Sequence, residues 1–192
     1  NVYCFECNPR AINVMKENIQ FHNSTNNKIK IIQYAISNKN NNYMDFYPTI
    51  IDNIGASSLY KLEENSTNSE IIEHTNRHIQ NHIKVKAIRL ETWINKYDID
   101  YTKIKLICMD LQGGELNAIE SLGRYIEYVK IIICEGQYEK CYKESCLIND
   151  IEIYLQNYGF ICLNSNNNKN KAFSDFIFVK NDIKQQLQHS QI

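Results

Sequence analysis

Residues 104 to 115, Ile-Lys-Leu-Ile-Cys-Met-Asp-Leu-Gln-Gly-Gly-Glu, run an apolar segment into a carboxylate and then into a two-glycine turn. Such a segment reads as a buried strand whose C-terminal end places Asp110 at the rim of a sheet. Gly113 and Gly114 permit a tight turn, and Glu115 falls in the first turn of the next helix, where the positive end of the helix dipole favours a negative charge. Ligands of open α/β sheets bind outside the carboxyl ends of the strands, so Asp110 is where a ligand is expected. Taken alone, an Asp-x-x-Gly is equally well a capping acid in an ordinary connection. Two more segments repeat the pattern: Val2-Tyr-Cys-Phe-Glu-Cys-Asn-Pro9 ends its strand in Glu6, with Asn8 as N-cap and Pro9 opening a helix, and Val129 to Glu135 ends in Glu135. Three strands that each end in a carboxylate predict an acidic rim suited to hydroxyls and amines rather than phosphates.

The elements that must position these acids alternate along the chain. Ile12, Met15 and Ile19 recur at helical spacing within residues 10 to 22, and Lys28 to Ile36 and Tyr43 to Tyr47 read as strands. Residues 49 to 82 lack a clear pattern and are expected to be a lid or insertion loop. Ile83 to Leu90 reads as a strand and Glu91 to Tyr97 as a short helix, while Leu116, Ile119 and Leu122 mark a helix after the two-glycine turn. A further amphipathic helix carries Leu147, Ile151, Tyr154, Leu155 and Tyr158 and stops at Gly159. Phe160 to Leu163 and Phe173 to Lys180 close the series as a strand pair. This alternation predicts a three-layer α/β domain over residues 1 to 180, followed by a tail of residues 181 to 192 that is frayed or helical.

Composition narrows the classes. With 192 residues the chain supports one core, and a formal net charge of -1 without basic clusters argues against nucleic acid or an anionic membrane as a partner. The seven cysteines are odd in number and lie mostly in apolar strands, which suits reduced thiols and a cytoplasmic setting. Asn-rich stretches at 38 to 42 and 164 to 170 read as loops, and the sequons at Asn23 and Asn65 need no explanation in so Asn-rich a chain. His74, His78 and His82 recur at four-residue steps and could share a helical face, yet polar neighbours and an unspecified fourth ligand favour a solvated lid helix. Cys4 and Cys7 lie three apart on a strand, where their side chains point to opposite faces, so no metal site is expected there. Tyr138 and Tyr142 follow Glu135, where they either face a ligand or pack.

The motifs resemble those of the FkbM-type methyltransferases. Phe5-Glu-Cys-Asn-Pro9 is similar to that family's Phe-Glu-Pro-Asn-Pro strand end, Tyr34-Ala-Ile-Ser37 to its Ala-Leu-Ser-Asp segment, and Gly55-Ala-Ser-Ser58 to its Ser-Ser loop. Ile88-Arg-Leu-Glu-Thr-Trp93 resembles its Leu-Asp-x-Trp turn, Met109 to Glu115 its Asp-x-x-Gly-x-Glu signature, and Ile133-Cys-Glu135 its last acidic strand end. The resemblance runs in order from Val2 to about Lys180.

It implies a Rossmann-like α/β/α sheet, mostly parallel with an antiparallel C-terminal strand, that transfers a methyl group from S-adenosylmethionine to a hydroxyl of a small molecule or glycan. It also implies that the chain starts on the family's second strand, so the sequence is expected to be truncated, without the N-terminal strand and Gly-rich cofactor turn. By the same resemblance Glu6, Cys7, Asn8, Ala35, Ile36, Asp110 and Gln112 contact the cofactor, with the Glu6 carboxylate accepting from the ribose hydroxyls. Asp110 is the first candidate base, with Glu115 and Glu135 behind it, and no metal is expected because no histidine lies in register with these acids. A non-catalytic binding module of the same ancestry is the alternative. A nicotinamide-dependent oxidoreductase is a weaker one, since it requires an upstream Gly-x-Gly-x-x-Gly and leaves the Asp-Leu-Gln-Gly-Gly-Glu segment unexplained.

Overall fold

A computed structural model describes residues 1–21, 28–40, 43–49, 53–77, 80–164 and 171–183. Strand β1 (Val2–Phe5) leads into helix α1 (Pro9–Phe21), which returns the chain to β2 (Ile29–Ile32), parallel to β1. Then follow β3 (Ala35–Ile36), β4 (Met44–Phe46), α2 (Ser69–Arg77), β5 (Ile83–Val85), β6 (Ala87–Ile88), α3 (Leu90–Lys96) and β7 (Leu106–Met109). The chain continues through α4 (Glu115–Ser121), β8 (Ile131–Gln137), α5 (Ile148–Gln156), β9 (Phe160–Cys162) and β10 (Phe173–Lys180). Strands and helices alternate as the sequence predicts, and the fold class is α/β.

The largest sheet runs in the order β7-β8-β10-β9, with β7 and β8 parallel and β10 antiparallel to both β8 and β9. Three two-stranded sheets accompany it: β1-β2 and β3-β6 are parallel, and β4-β5 is antiparallel. The expectation that the strands of Glu6, Asp110 and Glu135 share one sheet is therefore met for two of them only. β1 pairs with β2 and β7 pairs with β8, and among the described residues no ladder joins the two pairs. Side-chain packing brings them together instead. Tyr3 and Phe5 each set their rings edge-on to Trp93 of α3 with centroids 4.9 Å apart, and Trp93 belongs to the main core.

Two of the expected strands are broken. In residues 28 to 36 the Tyr34 N–H turns back to the Ile32 carbonyl (2.9 Å), after which the Ala35 and Ser37 N–H groups pair with Lys86 and Ile88. One extended segment thus serves β1 first and β6 next. Residues 83 to 90 divide in the same way, β5 joining β4 and β6 joining β3.

The main core packs α4 and α5 on the sheet through Ile119, Ile126, Ile132, Ile151 and Leu155, all fully buried, with Trp93 and Ile94 of α3 joining them. Each such side chain contributes roughly 1.5 to 3 kcal/mol by leaving water. Gly159, at φ +73°, stops the segment after α5 in the left-handed conformation that glycine adopts freely. The described residues of the patternless stretch 49 to 82 are anchored. Its residues Leu62 and Ile71 are buried with Cys141, Tyr142 and Ala172 in a second core, and short bridges tie Tyr47 to Ser58, Thr49 to Gln80 and Leu62 to Tyr142. At the other end, residues 181 to 183 are helical, and Lys130 pairs with Asp182 at 2.6 Å. The rest of the tail, from residue 184, together with Asn23 and His78, lies outside the described residues.

Candidate functional site

Glu6 follows the last residue of β1, and its N–H makes the final bond of that ladder, to the Ile32 carbonyl at 3.1 Å. Its carboxylate folds back on the chain, where Oε1 accepts the N–H groups of Cys7 (2.7 Å) and Asn8 (2.6 Å). Asn8 then caps α1 by accepting the Arg10 N–H at 3.0 Å, and Pro9, which has no N–H to satisfy, opens the helix. Glu6 Oε2 takes no protein hydrogen bond among the described residues.

The loop at residues 53 to 58 stitches this corner to the signature turn. Ser57 Oγ accepts from Asn8 Nδ2 at 3.2 Å and donates to the Ile54 carbonyl at 2.7 Å. The Ser58 hydroxyl, fully buried, donates to the Gln112 carbonyl at 2.7 Å. Neither serine had a role readable from the sequence beyond its place in a motif, because both partners are distant in the chain.

The signature turn after β7 is built differently from the two-glycine expectation. Gln112 (φ +53°) and Gly113 (φ +97°) hold the left-handed backbone, whereas Gly114 has φ -93°, which any residue can adopt. A Cβ on Gly113 would come within 2.5 Å of Ser145 Cβ, so space as well as conformation requires glycine there. A non-glycine residue in left-handed backbone is strained and persists where its surroundings hold it. Gln112 is held at both ends of its side chain: Nε2 donates to Asp110 Oδ1 at 2.6 Å and faces Glu135 Oε1 at 3.3 Å, while Oε1 accepts from the Tyr142 hydroxyl at 2.7 Å. His74 Nε2 lies 3.1 Å from that hydroxyl, so one polar chain runs from α2 through Tyr142 and Gln112 to the two acids.

Glu115 is placed apart from them. Its oxygens accept the Leu111 N–H (2.7 Å) and the Gly113 N–H (3.0 Å), and the side chain is 1% exposed and lines neither cavity described below. Burial pushes its carboxyl up to about 7 against the pull of those N–H donors. Of the three candidate bases, then, the structure turns Glu115 to the backbone of the turn. Glu135 does not end its strand as expected, because β8 runs on to Gln137 under the antiparallel pairing of β10. Burial first, and the Asp110 carboxylate next, push Glu135 up to about 8.

Two cavities meet at Asp110. One, of about 190 Å³, is lined by Glu6, Cys7, Asn8, Ala35, Ile36 and Asp110, with Phe5, Tyr34 and Phe46 adding apolar wall. Burial pushes the Cys7 thiol up to about 12, so it presents an uncharged surface. The other, of about 230 Å³, shares Gly55 and Asp110 with the first and adds Asn53, His74, Gln112, Glu135 and Phe173. Residues from sheets that are not hydrogen-bonded to one another thus converge on one carboxylate. His74 and Phe173 reach the site without any local motif that places them there, whereas Tyr142, expected either to face a ligand or to pack, holds Gln112. Tyr142 is buried with its hydroxyl on Gln112, and burial pushes that phenol well above its ordinary range.

Of the histidine triplet, His74 lies in α2 against Tyr142, whereas His82 pairs with Asp45 and stacks on Tyr47, and His78 lies outside the described residues. Among the described residues no group of three His, Cys, Asp or Glu is arranged to hold a metal ion. All seven cysteines are unpaired, and no described helix is long and apolar enough to cross a membrane.

Comparison with known sequences gives one result for the chain. A family model described as Methyltransferase FkbM domain matches residues 1–162. No curated protein and no solved structure matches.

Proposed function

The chain belongs to the FkbM methyltransferase family, and from that premise we propose that it uses S-adenosylmethionine to methylate a hydroxyl oxygen on a small molecule or glycan. The observation that carries the reading is the first cavity, where Glu6 and Asp110 share one apolar-walled space although their strands are not paired. An acid with an uncommitted oxygen beside Ala35, Ile36 and the neutral Cys7 thiol fits a nucleoside, whose ribose hydroxyls donate and whose base is flat and largely apolar. At about 190 Å³ the cavity is smaller than a typical pocket for a drug-sized ligand, so these residues fit the nucleoside half of the cofactor rather than all of it.

When bound, S-adenosylmethionine supplies an electrophilic methyl group on a sulfonium. The chain's own residues orient the partners and move a proton. Glu6 accepts from the ribose diol, and Asp110, held by the Gln112 amide, takes the proton of the acceptor hydroxyl. Glu135, kept protonated near neutral pH by burial and by Asp110, stands ready as a donor beside it. The same reading takes the four small sheets as parts of one three-layer Rossmann-like sheet, supported by the packing of Tyr3 and Phe5 on the main core. It places the reaction in the cytoplasm, supported by the seven unpaired cysteines.

The small volume of the first cavity also favours a second reading, a binding module of methyltransferase ancestry that takes a nucleoside without turning it over. Calorimetry with S-adenosylhomocysteine and a methyl-transfer assay on the full-length protein separate the two. Binding with turnover supports the enzyme, and binding without turnover supports the module. No binding of S-adenosylhomocysteine, or tighter binding of a nicotinamide dinucleotide, overturns both.

A further inference from the structure

The second cavity has a lining unlike the first. Asp110 and Glu135 form its polar floor, with the Gln112 amide held between them, and His74 and Phe173 set their rings edge-on to each other at 6.2 Å on its wall. Among the described residues its lining includes no lysine or arginine. The Asp110 carboxylate opposes the entry of an anion, joined by Glu135 above pH about 8, and the oxygens of both groups favour partners that donate hydrogen bonds. The wall facing them is aromatic, which offers an uncharged molecule a surface for its carbon skeleton.

The two cavities share Asp110 and the 53 to 58 loop, yet their other walls come from different elements. Glu6, Ala35 and Ile36 belong to the corner after β1 and to β3, whereas His74, Glu135 and Phe173 come from α2, β8 and β10. A space beside the nucleoside cavity, joined to it at one acid, is where a second reactant would meet the first.

We propose that this second cavity seats the methyl acceptor and selects a hydroxyl-bearing group that carries no negative charge. The proposal rests on the methyl-transfer reading for the acceptor's role. It goes beyond that reading in naming the seat, the residues that select and the charge they refuse. Phosphorylated and carboxylated acceptors would have to keep their anionic groups outside the cavity. A volume of about 230 Å³ admits one compact polyol-sized group, smaller than a drug-sized ligand. His74 and Phe173 therefore contribute to specificity, although neither lies in a motif of the family signature.

The test uses three probes of similar shape: glycerol, its amino analogue 3-aminopropane-1,2-diol, and its acid analogue glycerate. Each is titrated into the isotope-labelled full-length protein, and the signals of the Gln112 side-chain amide and of the Glu135 and Phe173 backbone amides are followed. Glycerol and the amine are expected to shift all three, with glycerate at least about tenfold weaker because its charge meets the acids. In Asp110→Asn that gap is expected to narrow to less than about threefold, since a like charge has gone. Glu135→Gln is expected to narrow it in the same way above pH about 8, where Glu135 is ionised, which keeps the test open if the first variant does not fold. Glycerate binding as tightly as glycerol, or polyols leaving these signals unmoved, overturns the proposal. S-adenosylhomocysteine titrated alongside separates the causes: if it binds and the polyols show no selectivity, this inference alone fails, whereas its failure to bind overturns the methyl-transfer reading and the acceptor's role with it.

Discussion

The Gln112 side-chain nitrogen lies 2.6 Å from Asp110 Oδ1, and the same nitrogen faces Glu135 Oε1 at 3.3 Å. One amide group, itself fastened to Tyr142, therefore sets the distance and orientation of the two acids shared by the site. Gln112 reaches this position because its backbone is left-handed and its carbonyl is held by Ser58, two features that the local sequence does not announce.

Asp110 is expected to be the position most sensitive for turnover. Asp110→Asn keeps the shape and the contact to Gln112 but cannot take a proton, so kcat is expected to fall roughly a hundredfold or more with unchanged circular dichroism. Turnover that survives while S-adenosylhomocysteine affinity drops would leave Asp110 a ligand of the cofactor and require the base elsewhere, with Glu135 able to serve only in its ionised form.

Glu6 is expected to govern affinity instead. Glu6→Ala should weaken S-adenosylhomocysteine binding by about 1 to 3 kcal/mol in calorimetry, the size of a lost charge-assisted hydrogen-bond pair. The same variant releases the Cys7 and Asn8 N–H groups, so Glu6→Gln, which retains an acceptor for them, serves as control. Unchanged affinity in both variants removes Glu6 from the site.

Glu135 ties stability to pH with a definite sign. Its folded pKa is raised from 4.5 to about 8, so the folded state holds the proton more tightly than the unfolded chain does. The resulting stabilisation is complete below pH 4.5 and is lost as the pH rises towards about 8. Urea denaturation across that window should show wild type losing stability relative to Glu135→Gln. A parallel pH dependence for the two proteins contradicts the raised pKa.

Gly113→Ala joins a left-handed backbone to a Cβ within 2.5 Å of Ser145 Cβ. The two effects together are expected to cost about 2 to 4 kcal/mol of stability in chemical denaturation. Gly114→Ala, at φ -93° and with its nearest neighbour 3.4 Å away, is expected to cost much less. Equal costs would contradict the assignment of the turn to Gln112 and Gly113.

Ser58→Ala leaves the Gln112 carbonyl without its buried donor, at an expected cost of about 1 to 3 kcal/mol. Because that bond joins the 53 to 58 loop to the signature turn, the Gln112 side-chain signal should shift as well. An unmoved Gln112 signal means the turn holds itself.

The parts of this protein legible from the sequence were those encoded within a few residues. Hydrophobic periodicity located α1, α5 and the main strands, Asn8-Pro9 announced a helix start, and Gly159 announced a stop. The order of short motifs identified the family, and the acids at the strand ends marked the corner where two cavities meet. What the sequence could not decide was the direction of each carboxylate. Glu6, Glu115 and Glu135 look alike in the chain, yet Glu6 keeps one oxygen open, Glu115 turns both to the backbone, and Glu135 faces Gln112. The division of two extended segments between different partners was equally hidden, as was the approach of His74 and Phe173 to the acids. Periodicity and capping depend on near neighbours, whereas these outcomes depend on packing between residues far apart in the chain, such as Ser58 with Gln112, and on the desolvation that packing produces. Local signals therefore placed Glu6 and Asp110 at their strand ends, and only the tertiary structure carried β8 past Glu135 and assigned each acid its partners.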